Sequence, residues 1–95
     1  MDLGLKGRRA LVCAASKGLG RACAESLAEA GVEVTICSRT KADIEETAQD
    51  ISNKFQVNVK SVACDITTEE GRTSALKVSG DIDILVNNAG GPPPG

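Results

Sequence analysis

The stretch LVCAASKGLGRA, residues 11–22, decides the fold. It opens as an apolar run, passes through small residues and glycines that include Lys17, and continues into a helical pattern. Glycines at the start of a helix leave its first backbone N–H groups open, and such groups bind phosphates well. The alternative is a tight connection between two packed elements, so the surrounding sequence has to distinguish the two interpretations.

Four short apolar runs are predicted to be β-strands. The first and last are nearly continuous, which is typical of strands covered on both faces of a sheet. The middle two contain β-branched residues in partial alternation. The runs are ALVCAA (10–15), VEVTIC (32–37), VKSVAC (59–64) and IDILVN (82–87).

Helical patterns fill the intervals between these runs. Over residues 18–30, apolar or small side chains recur at helical spacing, and Gly31 is predicted to end the helix. The second helix is predicted to begin at Thr40 and Asp43, whose spacing is related to a capping box. Its apolar stripe consists of Ile44, Ala48, Ile51 and Phe55.

The third helix is predicted to begin at Thr67 and Glu70, which repeat that spacing, and to stop at Gly80. Gly71 inside it lowers the helix propensity by about 1 kcal/mol. Strands that alternate with helices in this way predict a parallel sheet built from right-handed crossovers. The fold class is therefore α/β, with the element order βαβαβαβ.

Length, charge and composition exclude several classes of protein. Ninety-five residues form one small domain or part of a larger one. One Phe, with no Trp, Tyr or His, leaves a core of small aliphatic side chains. The net charge of −2 argues against nucleic acid binding. No apolar stretch approaches the roughly 20 residues of a membrane span, and no signal peptide is recognisable. We expect a cytoplasmic protein with no membrane or nucleic acid partner.

Cysteine usage indicates packing rather than metal or disulfide chemistry. The cysteines form no C-x-x-C pair, and without histidine a mixed zinc site is excluded. A thiol in an apolar run behaves as a small hydrophobic group, and disulfides are rare in cytosolic proteins. We expect no metal site, and buried free thiols at Cys13, Cys23, Cys37 and Cys64.

The glycine loop resembles the first motif of the short-chain dehydrogenase/reductase family, T-G-x-x-x-G-x-G. Here the motif reads CAASKGLG, so Gly18 and Gly20 match its second and third glycines. Cys13 and Ala14 stand where the family has Thr and the first Gly. In a doubly wound fold, a loop in this position receives the pyrophosphate of a dinucleotide. Gly18 and Gly20 could alternatively serve only close packing of helix and sheet.

Two further motifs extend the resemblance over almost the entire chain. The sequence NNAG (87–90) is similar to the family motif that ends the fourth strand. Asp65 and Ile66 follow the third strand, where the family places a pair against the adenine. Asn87 and Asn88 could instead only cap the strand end. The resemblance is strongest to members like the 3-oxoacyl-[acyl-carrier-protein] reductases.

The resemblance implies a Rossmann-type parallel sheet with strand order 3-2-1-4, truncated before the later strands of the family. We expect residues 1–95 to be the amino-terminal part of a single NAD(P)-binding domain, with a Gly/Pro-rich tail at 91–95. Ending there would leave the fourth strand as an open, aggregation-prone edge. The family uses a Ser, a Tyr and a Lys for catalysis, and this chain has no Tyr. We expect it to be inactive and poorly stable alone, with no catalytic residue assigned.

The residues after the second strand indicate which dinucleotide is bound. NAD-preferring relatives have an acid there for the ribose hydroxyls, whereas this chain has Ser38 and Arg39. A guanidinium is suited to clamp a 2′-phosphate, with no carboxylate nearby to repel it. Lys17 adds a second positive charge. The resemblance therefore implies NADP(H), although both cations could simply be solvated surface groups.

The resemblance implies an oxidoreductase that reduces a ketone, of the 3-oxoacyl type, to an alcohol. Its partners would be a small-molecule carbonyl substrate and further copies of itself. The alternatives are a non-catalytic module that binds a nucleotide or a partner, and a methyltransferase-like domain, which Arg39 disfavours. The residues predicted to bind the cofactor are Ala14, Ser16, Lys17, Gly18, Leu19, Gly20, Ser38, Arg39, Asp65, Ile66, Asn87, Asn88, Ala89 and Gly90.

Overall fold

The structure is a computed structural model that describes residues 7–13 and 18–86. Strands and helices alternate along these residues, as the sequence predicts. The elements are β1 (Arg9–Cys13), α1 (Gly18–Glu29), β2 (Glu33–Ser38), α2 (Lys41–Phe55), β3 (Val59–Ala63), α3 (Glu69–Ser79) and β4 (Ile84–Val86).

All four strands are parallel and lie in the order β3-β2-β1-β4, which confirms the predicted fold class and strand order. Cys13 of β1 pairs with Cys37 of β2, and Cys37 pairs in turn with Val62 of β3. On the other side of β1, Val12 pairs with Val86. Because the strands are parallel, their carboxyl ends meet at one edge of the sheet, and we call this the carboxyl edge.

Helices cover both faces of the two central strands. Val12 and Ile36 point into a core formed with α1 and α2, where Ile44 is fully buried. Leu11 and Cys37 point to the opposite face, against Ala75 of α3. The continuous apolar run of β1 is explained by this arrangement, because its alternate residues face two different cores.

Strand boundaries differ from the predicted ones by one or two residues. The second strand begins at Glu33 and includes Ser38, and the third ends at Ala63. The fourth begins at Ile84, two residues later than predicted, where its pairing with Ala10 of β1 begins, and the predicted last residue, 87, lies outside the described residues. Asp83 precedes β4 and is joined to Arg9 by two hydrogen bonds. The backbone N–H of Arg9 donates to the Asp83 carboxylate, and the N–H of Asp83 donates to the backbone carbonyl of Arg9.

The described part of β4 lies at the edge of the sheet, as the sequence predicts. Its central residue, Leu85, has 59% of its surface exposed. An exposed apolar side chain on an edge strand favours association with other chains. Aggregation of the chain through this edge stays a prediction.

The first helix ends as predicted. Gly31 has φ +87°, a conformation that glycine adopts without a steric penalty. Its N–H donates to the carbonyl of Ala28, and the N–H of Val32 donates to the carbonyl of Leu27. This pair of bonds is a Schellman motif, which satisfies two of the last carbonyls of α1.

The capping predictions for the other two helices need correction. Thr40 occupies the N-cap of α2, but its side chain makes no capping hydrogen bond. In α3 the N-cap is Thr68 rather than Thr67, and its hydroxyl accepts a bond from the N–H of Gly71 at 2.9 Å. The hydroxyl of Thr67 instead donates a hydrogen bond to the carboxylate of Asp65. The predicted Thr67–Glu70 box therefore does not form.

Gly71 allows α3 to begin against the backbone of the preceding loop. The residue is buried, and a Cβ built on it would overlap the backbone carbonyl of Asp65. Thr68 reinforces the approach by donating its hydroxyl to that same carbonyl at 2.8 Å. The glycine that weakens the helix pattern in the sequence is thus required by the packing. No helix within the described ranges is long and apolar enough to span a membrane.

We expect Gly71→Ala to destabilise the fold by about 1–3 kcal/mol, because the added methyl group forces α3 away from the Asp65 carbonyl. Ser74→Ala, at an exposed position of the same helix, is the matched control. It places an alanine in the same helix by removing the serine hydroxyl, which improves the helix propensity and creates no overlap. Urea unfolding followed by circular dichroism measures both. A Gly71→Ala midpoint equal to or above that of the control would contradict this account.

Candidate functional site

The candidate site lies along the carboxyl edge. Chain segments with predicted site residues leave the sheet there after β1, β2 and β3, which are neighbours in the sheet. Gly18 begins the helix that follows β1, Arg39 follows β2, and Asp65 follows β3. The topology therefore brings three segments together that are far apart in the sequence.

Several predicted cofactor-binding residues lie outside the described residues, and their roles stay predictions. They belong to the glycine loop before α1 and to the NNAG motif after β4. They are Ala14, Ser16, Lys17, Asn87, Asn88, Ala89 and Gly90.

The start of α1 has the backbone geometry that an anion site needs. Gly18 has φ +59°, and the space where a Cβ would stand is open. Gly20 is buried in the first turn, whereas the side chain of Leu19 is 70% exposed. The first N–H groups of a helix have no partner within the helix, and the helix dipole makes them attractive to negative charge.

Ser38 and Arg39 stand at the end of β2 with different surroundings. The hydroxyl of half-buried Ser38 donates to the backbone carbonyl of Thr40 at 3.4 Å, which ties the strand end to the start of α2. Arg39 is exposed, and no ion pair joins it directly to a carboxylate in the described part of the chain. Its guanidinium is therefore available to a ligand phosphate.

Asp65 is held in place by a local turn. Its carboxylate accepts bonds from the hydroxyl of Thr67 at 2.5 Å and from the backbone N–H of Thr67 at 2.9 Å. These two hydrogen bonds, and then the positive charge of Arg39, lower the pKa of Asp65 below its ordinary value. The carboxylate is consequently ionised at neutral pH, and it is oriented before any ligand arrives.

The influence of the positive charge of Arg39 on Asp65 corrects one expectation. The sequence around Arg39 suggests that no carboxylate lies near it, yet the charge of Arg39 acts on Asp65. The cause is that β2 and β3 are neighbours, so that the residues following them lie near each other. The site therefore combines a cation suited to phosphate with an anion that can accept bonds from N–H or O–H groups.

Sequence reasoning missed the residues that position Asp65. Thr67 orients its carboxylate, Thr68 bonds its carbonyl, and Gly71 lets α3 pack against it. The signal is the D-x-T spacing, since an Asp side chain often bonds the backbone two residues later. The Thr67–Glu70 spacing instead predicts a helix cap at Thr67.

The four cysteines form no disulfide within the described residues, and they differ in burial. Cys13 and Cys37 are buried as predicted, whereas Cys23 and Cys64 are only partly buried, which corrects that prediction. A hydrogen bond with Cys37 lowers the pKa of Cys13, whereas burial raises the pKa of Cys64. No group of three or more ligand-type side chains in the described ranges could hold a metal ion.

Comparisons with curated proteins show the family of the chain. The family model described as short chain dehydrogenase matches residues 8–95. The chain is 43% identical over 89 residues to L-xylulose reductase from Mesocricetus auratus, covering 94% of this chain and 34% of that protein. It is 39% identical over 95 residues to 3-oxoacyl-[acyl-carrier-protein] reductase from Aquifex aeolicus (strain VF5), covering 95% of this chain and 38% of that protein.

Solved structures agree with the fold. L-sorbose reductase from Gluconobacter frateurii, complexed with NADPH and L-sorbose, superposes with a TM-score of 0.90 at 37% identity, covering 95% of this chain and 36% of that one. NAD+-bound xylitol dehydrogenase gives a TM-score of 0.79 at 31% identity, covering 90% and 34%.

The chain spans about a third of the length of the curated relatives described above. The family match, in contrast, extends over nearly all of the chain itself. The strand order agrees with that match. This chain therefore belongs to the short-chain dehydrogenase family.

Proposed function

We propose that this chain is the amino-terminal, dinucleotide-binding portion of a short-chain oxidoreductase that uses NADP(H). The observation that carries the proposal is the juxtaposition of Gly18, Arg39 and Asp65 at the carboxyl edge. On this proposal, residues 1–95 form part of one cofactor-binding domain. The domain boundary, the tail at 91–95 and a cytoplasmic location stay predictions.

The described residues fit a dinucleotide at its phosphate and adenosine end. The open space at Gly18 lets the backbone approach a pyrophosphate, whose charge the start of α1 attracts. Asp65 and Ile66 would contact the adenosine, as the resemblance implies. The pre-oriented carboxylate of Asp65 can accept a hydrogen bond without first losing side-chain freedom. When bound, the cofactor would supply the hydride for reduction of a carbonyl group.

Arg39 supports the preference for the 2′-phosphorylated cofactor. The solved relatives include one protein complexed with NADPH and one bound to NAD+, so their names leave both dinucleotides open for this chain. A charge-assisted bond between a guanidinium and a phosphate contributes about 1.5–3 kcal/mol. The negative charge of Asp65 offsets the positive charge of Arg39 only weakly, because water and salt strongly screen interactions between exposed groups.

The substrate would be a small carbonyl compound. The relatives are named as reductases of L-xylulose, of L-sorbose and of a 3-oxoacyl chain. Reduction of a carbonyl to an alcohol is the chemistry that these names share, and the 3-oxoacyl substrate stays a prediction. A Tyr that donates the proton cannot come from this sequence, which has none. Self-association of the complete protein also stays a prediction.

We expect Arg39→Asp to weaken NADPH binding about 10- to 100-fold in the catalytically complete protein that carries this segment, because the phosphate contact is lost and a repulsive charge replaces it. NADH binding should be unchanged or stronger. Fluorescence titration of both cofactors measures this. Lys77→Asp, which makes the same change of charge in the last turn of α3, is the control and should alter neither affinity. A preference for NADH before substitution would contradict the proposal.

We expect Gly18→Ala to weaken binding of NADPH and NADH alike, by about 5- to 30-fold, since an alanine at positive φ costs about 1–2 kcal/mol and shifts the start of α1. The loss common to both cofactors distinguishes this variant from Arg39→Asp. Gly7→Ala is the matched control, because Gly7 has φ +85° with open space around it and precedes β1 at the opposite edge. It should lower stability without lowering affinity. Equal affinity losses in the two variants would refute a phosphate site at Gly18.

A further inference from the structure

Three thiols line up across neighbouring strands beneath α3. Cys13 ends β1 and pairs in register with Cys37 of β2, while Cys64 directly follows β3. All three pack in the same apolar cluster, together with Val62 and Ala75. They are separated along the chain, and the parallel sheet alone brings them together.

Cys37 is the central thiol of this row. It pairs in register with Cys13 of β1 on one side and with Val62 of β3 on the other, and Cys64, two residues beyond Val62, lies on the same face of the sheet. Cys13 and Cys37 are each 1% exposed, whereas Cys64 is only partly buried. Cys64 is therefore the most accessible of the three residues to a small oxidant in solution, and Cys37 is the cysteine on the adjacent strand.

We propose that Cys64 and Cys37 form a peroxide-sensitive thiol pair. Burial raises the pKa of the Cys64 thiol, so the reacting species is the minor fraction of Cys64 that is thiolate. This thiolate attacks one oxygen of a hydroperoxide and becomes a sulfenic acid, and the remaining oxygen leaves as water or an alcohol. The thiol of Cys37 then attacks the Cys64 sulfur and expels water, which forms the disulfide. In total the two thiols lose two protons and two electrons, and these reduce the peroxide.

Closing this bond moves the Cys64 segment. Cys64 lies two residues beyond Val62, the register partner of Cys37, and such diagonal neighbours on adjacent strands are about 7–8 Å apart. A disulfide needs Cα atoms closer than about 7 Å, so one backbone must shift. Cys37 lies within paired strands on both sides. Cys64 lies just beyond β3, where the bond from its N–H to the Ser38 carbonyl at 2.9 Å is the nearest restraint. The shift therefore falls on Cys64 and on the adjoining Asp65.

Through Asp65, oxidation would weaken dinucleotide binding, a consequence that rests on the proposed function. Displacing Asp65 disturbs the carboxylate that Thr67 orients and the carbonyl against which Gly71 packs. The thiol pair is thereby coupled to the predicted adenosine contact. Reduction of the disulfide would restore the original position of the segment.

The first test is chemical and needs no cofactor. The full-length protein is treated with hydrogen peroxide, and intact mass together with peptide mapping should show a loss of two hydrogens and a Cys37–Cys64 disulfide. Cys64→Ser and Cys37→Ala should each abolish this disulfide. Cys23→Ser is the control and should retain it, because Cys23 is equally a partly buried thiol but lies on α1 and packs against the other core.

A Cys13–Cys37 disulfide, or no disulfide while Cys64 becomes over-oxidised, would overturn the assignment. Should Cys37→Ala fail to fold, the partly exposed Cys64→Ser still decides the outcome. The second test titrates NADPH into reduced, oxidised and dithiothreitol-treated protein. Weaker binding after oxidation that dithiothreitol reverses supports the coupling, and unchanged binding refutes it. Failure of the reduced protein to bind either dinucleotide would refute the proposed function and leave the thiol chemistry standing.

Discussion

The pairing of β1 on both of its sides is the constraint on which the other features depend. Its ladder with β2 aligns Cys13 with Cys37, and its ladder with β4 aligns Val12 with Val86. Both faces of β1 are buried as well, so neither its register nor its direction can change without exposing apolar surface. Every strand that follows is placed relative to β1, and the carboxyl edge is the result.

The sequence was sufficient for the fold but not for the element ends. Apolar runs and helical spacing identify strands and helices because the burial of side chains repeats with the period of each element. The alternation of strands and helices along the chain predicts that the strands are parallel. The residue at which a strand or helix ends depends on its hydrogen-bonding partners in other segments, which a single apolar run does not reveal. Ser38 extends β2 because Ala63 of the neighbouring strand pairs with it. Thr67 fails as a cap because the Asp65 carboxylate competes for its side chain.

For the candidate site, sequence reasoning succeeded where the feature is local. Gly18 and Arg39 could be assigned from their positions after a strand. The influence of the Arg39 charge on Asp65 could not be assigned in this way, since it arises only when β2 and β3 lie side by side. The partial exposure of Cys64 was missed for a related reason. Its apolar run looks like strand, but the last residue of β3 is Ala63.

The close approach of Gly71 to Asp65 has a consequence for interpreting libraries of variants. Gly71 lies six positions after Asp65. The first turn of α3 packs against the backbone carbonyl of Asp65, and the same residue carries the carboxylate of the candidate site. Depletion of variants at position 71 would resemble the signature of a ligand contact, although no ligand needs to touch that glycine. Only a separate score for cellular abundance would tell the two origins apart.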